Sequence, residues 1–489
     1  MNKNIFKTEI FFYAVFFFIC LFILLQSPLA PFAKSINGVD SSVFIYSAQQ
    51  MLDGQLIYKD IVDHKGPFLY FIEVAALFIF GGNLIGIWIF EVLSLFIASI
   101  MMYKTARFFA GRICSFLAVV TAILSLAPLL VGGNFPEEWV LPFIGTASYI
   151  FVAYLKGNKP LDMVRLFILS LTFVLVFMMK ANLAAIWAGF GIALLIKWIV
   201  EKKYNELIRN LLFILLFVIL LLLPFFLYFY CKGILSDAIY LVFKFNLFEY
   251  APRSILSILK TCFKILAGAS YLSIIPVVII IYMFFRNKTI VNGSILLAFA
   301  FTVLACSLGS SYPYYFMIFT PLIIIPYAYM FARIKESILE AKYICLFILF
   351  IFCNLGAAFN QTQHILDNYS EKGYGITTVP PPTMEMLKKI IIRNTKSADK
   401  ILVKGHQVSI YLNSGRICAT RFPYCIARAS LAEKYYVKEA EEALPKLIIQ
   451  GSIVNSRSYF NLDNLLNNKY QLIPAGIEGV EIWKLRDDR

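Results

Sequence analysis

Eleven long apolar runs, separated by short basic clusters, constrain this chain more than any other feature. A helix needs about 20 apolar residues to cross a bilayer core. Runs near that length fall at 9–30, 84–103, 112–131, 138–155, 163–180, 183–200, 209–231, 262–285, 290–308, 315–332 and 342–359. Across 489 residues, 60% are hydrophobic and the mean hydropathy is +0.76, which no soluble fold of this size carries. The net charge of +15 does not point to nucleic acid. Lys and Arg fall mainly between apolar runs, where they set orientation and meet anionic headgroups. A further run, 67–80, is shorter and ends in Gly81-Gly82, so it reads as an interfacial or re-entrant helix. With 67–80 not spanning, six basic clusters share one face, from Lys3/Lys7 and Lys104/Arg107/Arg112 to Arg333/Lys335/Lys342. That face is the cytoplasm.

The fold expected is therefore mostly α: a multi-pass plasma (inner) membrane protein with about eleven transmembrane helices plus interfacial helices. Met1 to Lys7 is short and basic, and no small-residue cleavage site follows the first apolar run. It reads as a retained signal anchor with a cytoplasmic N-terminus. Four external segments follow: 31–83, Gly132 to Glu138, 232–258 with Arg253, and Ser310-Ser311-Tyr312-Pro313-Tyr314. A short turn at Lys180-Ala181-Asn182 also faces outward.

The tail changes composition after about residue 360. A Pro380-Pro381-Pro382 linker precedes helix-like stretches at 384–394 and 428–443. Strand-like runs fall at 400–404, 408–412, 446–450 and 480–485. The division expected is a transmembrane domain over 1–360 and a small external or periplasmic α/β domain over 361–489. Seven of nine cysteines lie in or beside apolar segments and read as packing residues. Cys418 and Cys425, in the tail, could pair in an oxidising envelope. Three histidines, His64, His364 and His406, are too scattered for a zinc signature.

The chemistry-bearing residues gather in the external segments. Asp40, after the turn pair Asn37-Gly38, is either the N-cap of a short helix or a general base for an acceptor hydroxyl. In Asp63-His64-Lys65-Gly66-Pro67, Lys65 either sits at headgroup level or grips a lipid-linked phosphate, with His64 as a second donor. Glu137 and Glu138 are either first-turn charges of the next helix or carboxylates that position an acceptor or a divalent cation. Glu91, inside a spanning run, is a functional candidate by default, and equally a protonated or paired carboxyl. Lys180 either snorkels or meets a phosphate. Tyr312 and Tyr314, in an aromatic run, either form an interfacial belt or line a sugar or lipid cleft.

Together these residues resemble the GT-C superfamily of membrane glycosyltransferases, which includes lipid A aminoarabinose transferases and protein O-mannosyltransferases. Asp40 falls where that family places an acidic residue in its first external loop. Lys65-Gly66-Pro67-Phe68-Leu69-Tyr70 is similar to its basic-proline stretch. Glu137 falls in the second external loop, where members carry another acidic residue. Lys180-Ala181-Asn182 resembles a Lys-Pro-Asn turn, and Tyr312-Pro313-Tyr314-Tyr315-Phe316 a Tyr-x-His-Tyr-Phe element. Ser41 stands where many members have Glu, Ala181 where they have Pro, and Tyr314 where they have His. The resemblance implies a catalytic first external loop, 31–83, and inverting sugar transfer from a polyprenyl-phosphate donor to a glycan, lipid or protein acceptor. It implies Asp40 as base, Lys65, His64 and Lys180 as positive charge, and Glu137 as orienting residue or cation ligand. Substrate contacts would extend to Glu138, Tyr312 and Tyr314. The expected partners are the donor, the acceptor and membrane lipids, without nucleic acid. The cofactor that the resemblance leaves open is a divalent cation (Mg or Mn). The rival class is a lipid or glycan transporter or flippase, against which no inverted repeat is visible. A third reading is a non-catalytic membrane subunit that presents the tail, in which Asp40 is dispensable.

Overall fold

The structure is a computed structural model that describes residues 3–157, 159–249, 254–267, 271–308, 312–336, 355–356, 358–370, 379–424, 430–454 and 461–486. The chain divides into two compact units. One comprises 1–26, 88–228 and 253–363; the other comprises 27–87, 229–252 and 364–489.

The first unit is helical. Among the described residues, eight helices are long and apolar enough to cross a membrane, from Lys7–Leu24 to Tyr314–Glu336. Two of the eleven expected spans are shorter as helices, Met163–Phe177 and Ile275–Arg286, and most of 342–359 lies outside the described residues. The longest helix, Tyr204–Cys231, exposes Leu212, Leu215, Ile219 and Leu220 along its length. Such an apolar outer face suits lipid rather than water. Helix Ala185–Val200 packs against Ile290–Ser307 through Gly189, where a Cβ would lie 2.3 Å from the Ala298 Cα. Only a residue without a side chain allows that approach, the usual device between helices in lipid.

The second unit combines the loop after the first apolar helix with the tail. Helix Val39–Leu52 packs on helix Pro67–Ile79, which starts with Pro at its first position after Gly66. At 13 residues the latter is about 20 Å long, short of a bilayer core. The tail forms a five-stranded sheet: β1 Lys400–Val403, β2 Ile417–Cys418, β3 Leu447–Gln450, β4 Tyr470–Ile473 and β5 Glu481–Leu485. The order is β2-β1-β3-β5-β4, with β1 parallel to β2 and β3, and β5 antiparallel to β3 and β4. β1 and β3 bury Ile401 to Val403 and Leu447 to Ile449, the continuous apolar runs of a parallel core.

One expected strand is corrected. Residues 408–412 form a helix, Ser409–Ser414, whose buried Ile410, Tyr411 and Ser414 follow helical spacing and which ends at Gly415 with φ +62°. Loop and tail are tied together within this unit. The Val62 amide donates to the Arg421 carbonyl at 2.7 Å, and the Cys418 amide to the Tyr46 hydroxyl at 2.9 Å. The expected Cys418–Cys425 pairing lies outside the described residues, because Cys425 is not among them.

Candidate functional site

Asp40 stands in the first turn of helix Val39–Leu52 and is half-buried. The N-cap is Gly38, which makes no side-chain cap bond, so the capping role open to Asp40 in the sequence is not the one it has. Phe44 lies four residues on, hence on the same helix face and about 6 Å along the axis. The Lys65 ammonium lies 6.0 Å from the Phe44 ring centroid. The fold thus brings the carboxylate and the cation of the first loop to one helix face.

What holds Lys65 there is a network the sequence did not disclose. Lys65 Nζ donates to His64 Nε2 at 3.1 Å, and His64 Nδ1 meets Asn246 Oδ1 at 2.8 Å. The Asn246 amide nitrogen already donates to the His64 carbonyl at 2.8 Å and to the Val242 carbonyl at 2.8 Å. Oδ1 can only accept and an ammonium can only donate, so His64 is the neutral Nδ1–H tautomer. This corrects the expectation of His64 as a second donor to phosphate: both ring nitrogens are engaged, and the ring positions Lys65. Asn246 comes from a π-helical stretch, Tyr240–Glu249, a form frequent at functional sites.

Asp63 closes the network from below. It is fully buried, and its Oδ2 accepts from the Tyr70 hydroxyl. Its Oδ1 accepts from the Tyr424 hydroxyl at 2.7 Å and from the His64 amide at 2.6 Å. Burial pushes its carboxyl upward. The Lys65 charge and the two tyrosine hydrogen bonds outweigh burial and hold Asp63 below its ordinary value. Asp63 was quoted in the sequence motif but given no role there. Its partners lie 7 and 361 residues away, and His64's partner 182 away, so no local signal could have found them.

In the first unit, Glu137 sits in a short buried helix, Pro136–Trp139. Its Oε1 accepts from Lys180 Nζ at 2.6 Å, with the Glu137 side chain wholly buried and that of Lys180 18% exposed. The same ammonium lies 4.2 Å from the Tyr315 ring centroid. Lys180 therefore neither snorkels nor presents an uncompensated charge to a phosphate. Glu138 Oε2 accepts from the Asn134 amide at 3.0 Å, and its side chain is hydrogen-bonded to Glu91. Residues Val131, Gly132, Gly133 and Asn134 all have positive φ, and a Cβ on Gly133 would come 2.9 Å from Glu91 Oε1. Glycine is what lets this left-handed loop close over the carboxyls. Phe135, Tyr314 and Tyr312 form a continuous ring stack, with centroids 4.4 Å and 5.1 Å apart, and Tyr312 at the open end is 46% exposed. An exposed flat ring of that kind can take a sugar face or a lipid chain. Ser310 and Ser311 lie outside the described residues. Among the described residues, no three His, Cys, Asp or Glu side chains are arranged to hold a metal ion.

The comparisons with known proteins agree with this architecture. The chain superimposes on ArnT from Cupriavidus metallidurans bound to undecaprenyl phosphate with a TM-score of 0.63, at 12% identity, over 98% of each chain. Its apo state gives 0.64 at 11% identity, with the same coverage. The Archaeoglobus fulgidus oligosaccharyltransferase AglB, in complex with an inhibitory peptide and a dolichol-phosphate, gives 0.56 at 12% identity, over 91% of this chain and 70% of that one. ArnT and AglB are GT-C proteins, and identities this low establish a shared fold. No curated protein sequence matches the chain significantly. The family model described as "Putative competence-induced protein Ccs4 N-terminal domain" matches residues 3–368. The chain therefore belongs to the Ccs4 N-terminal domain family and has the ArnT-like fold of the GT-C membrane proteins.

Proposed function

We propose that the chain is a membrane glycosyltransferase that moves a sugar from a polyprenyl-phosphate donor to a hydroxyl of a cell-envelope glycan, lipid or protein at the external face. The observation that carries this reading is Lys65, held by His64 and Asp63 over the helix face of Asp40, within a fold shared with proteins solved with undecaprenyl phosphate and dolichol-phosphate. In the step proposed, the acceptor oxygen attacks the anomeric carbon while the Asp40 carboxylate takes its proton. The bond from that carbon to the phosphate oxygen breaks with inversion, and the electron pair leaves on the lipid phosphate. A phosphate monoester has a second pKa of about 6, so it departs without a strong acid. Lys65 meets the growing phosphate charge as a point cation. His64 and Asp63 act through Lys65 and are positioning residues.

Asp40→Asn tests this reading directly. The helix is not capped by Asp40, and loss of its first-turn charge costs about 0.3–1 kcal/mol. The variant should express, insert and keep its melting temperature. Loss of a general base should slow transfer about a hundredfold or more. Near-normal transfer by Asp40→Asn would show that the base lies elsewhere.

A further inference from the structure

The first unit contains a cavity of about 430 Å³ whose lining includes Lys156, Arg286 and Arg333 together with Phe109, Tyr329 and Asn292. It shares no residue with the sites described above. Lys156 caps the C-terminal end of the helix that begins just after Glu137 and Glu138. The run Pro136–Leu155 has 20 residues, so it separates the two ends by about 30 Å, the thickness of a bilayer core. The cavity thus opens at the membrane face where the basic clusters gather.

Its charge is unbalanced. The Lys156 ammonium donates to the Phe108 carbonyl at 2.7 Å and lies 4.2 Å from the Phe109 ring centroid. Arg286 Nη1 donates to the Tyr282 hydroxyl at 2.6 Å, and neither lysine nor arginine loses its charge to such neutral partners. Arg333 pairs at 2.9 Å with Glu336, whose side chain is 61% exposed. Arg286 and Arg333 lie near enough to repel each other. The N-terminus of helix Ile290–Ser307, capped by Thr289, also reaches the cavity through Asn292 and adds partial positive charge. Among the described residues, three cations face one solvated carboxylate in a concave site, a net positive charge that favours entry of an anion. The aromatic walls suit the apolar neighbours of that anion.

We propose that this cavity is a second anion site, which binds one phosphate-bearing group at the end of the first unit where the basic clusters gather. The two sources of that chemistry are an anionic lipid headgroup and soluble phosphate. The site does not depend on the transferase reading, since it shares no residue with it.

The test uses the full chain in phosphatidylcholine nanodiscs with one tenth phosphatidylglycerol. Native mass spectrometry counts retained anionic lipid, and inorganic phosphate is titrated in parallel. The expected result is one saturable phosphatidylglycerol per chain, weakened about tenfold in Arg286→Gln/Arg333→Gln and largely kept in Arg286→Lys/Arg333→Lys. Lys202→Gln/Arg209→Gln, which removes two charges from the same expected face outside the cavity, should leave it unchanged. Melting in pure phosphatidylcholine checks that each variant folds. Release of the lipid by millimolar phosphate supports the site and names soluble phosphate as its occupant. Retention against millimolar phosphate supports it with the lipid as occupant. Equal loss in the control variant, or no saturable binding of either probe by the native chain, means diffuse surface charge and overturns the proposal.

Discussion

Asp63 is buried, ionised and shared between the first loop and the tail, so its protonation reports on the network around Lys65. Its native pKa is held below the ordinary value. The stability it contributes is fully present above the unfolded value of about 3.9 and is lost as pH falls through the lower native value. Asp63→Asn cannot ionise and forgoes this contribution. Melting midpoints from pH 7 down to pH 3 should show native protein above variant by a constant margin down to about pH 4, with the margin shrinking below. A margin that ignores pH would mean that Asp63 is neutral in the folded chain. The Glu137–Lys180 pair makes a different demand. Breaking a buried pair strands one charge, at about 3–5 kcal/mol, whereas removing both partners is much milder. Lys180→Met should therefore lower the melting temperature strongly, and Glu137→Gln/Lys180→Met should recover most of the loss. Equal losses in single and double variants would deny the pair.

At the scale of elements, the sequence was readable where burial acts along the chain and unreadable where it acts across it. The helix Pro67–Ile79 was legible because Pro67 starts it, Gly81-Gly82 ends it, and its length cannot cross a bilayer. β1 and β3 were legible as short apolar runs. β2 has only two residues, and β4 has two exposed central positions, so neither leaves a pattern. Residues 408–412 alternate enough to imitate a strand, and only the tertiary burial of Tyr411, whose hydroxyl accepts from the Val403 amide at 2.7 Å, shows the helix. For the site, Asp40 and Lys65 were visible in the sequence; Asn246 and Tyr424 were not, since each reaches its partner from a distant segment. The contact at Gly189 gives a matched test on one helix. A Cβ there meets the Ala298 backbone, whereas a Cβ on Gly191 meets nothing within 4 Å. Gly189→Ala should destabilise by about 1–3 kcal/mol through overpacking. Gly191→Ala should be neutral or stabilise by up to about 1 kcal/mol. Similar melting for both variants would mean that the helices do not approach so closely.

For the whole molecule, the decisive alternatives are chemistry and transport. The GT-C fold extends over 98% of the chain, and the cation of the first loop lies over Phe44, one helical turn from Asp40. A flippase would move a polyprenyl-phosphate sugar intact, whereas a transferase must break the bond between sugar and phosphate. The most direct measurement is therefore the fate of the donor. Purified protein in proteoliposomes, given a polyprenyl-phosphate sugar and envelope extract as acceptor, would be followed by mass spectrometry of the lipid. A transferase should give protein-dependent appearance of free polyprenyl phosphate, matched by sugar on an acceptor, and lose it in Asp40→Asn. Intact donor that only changes leaflet, or cleavage that Asp40→Asn leaves untouched, would contradict it.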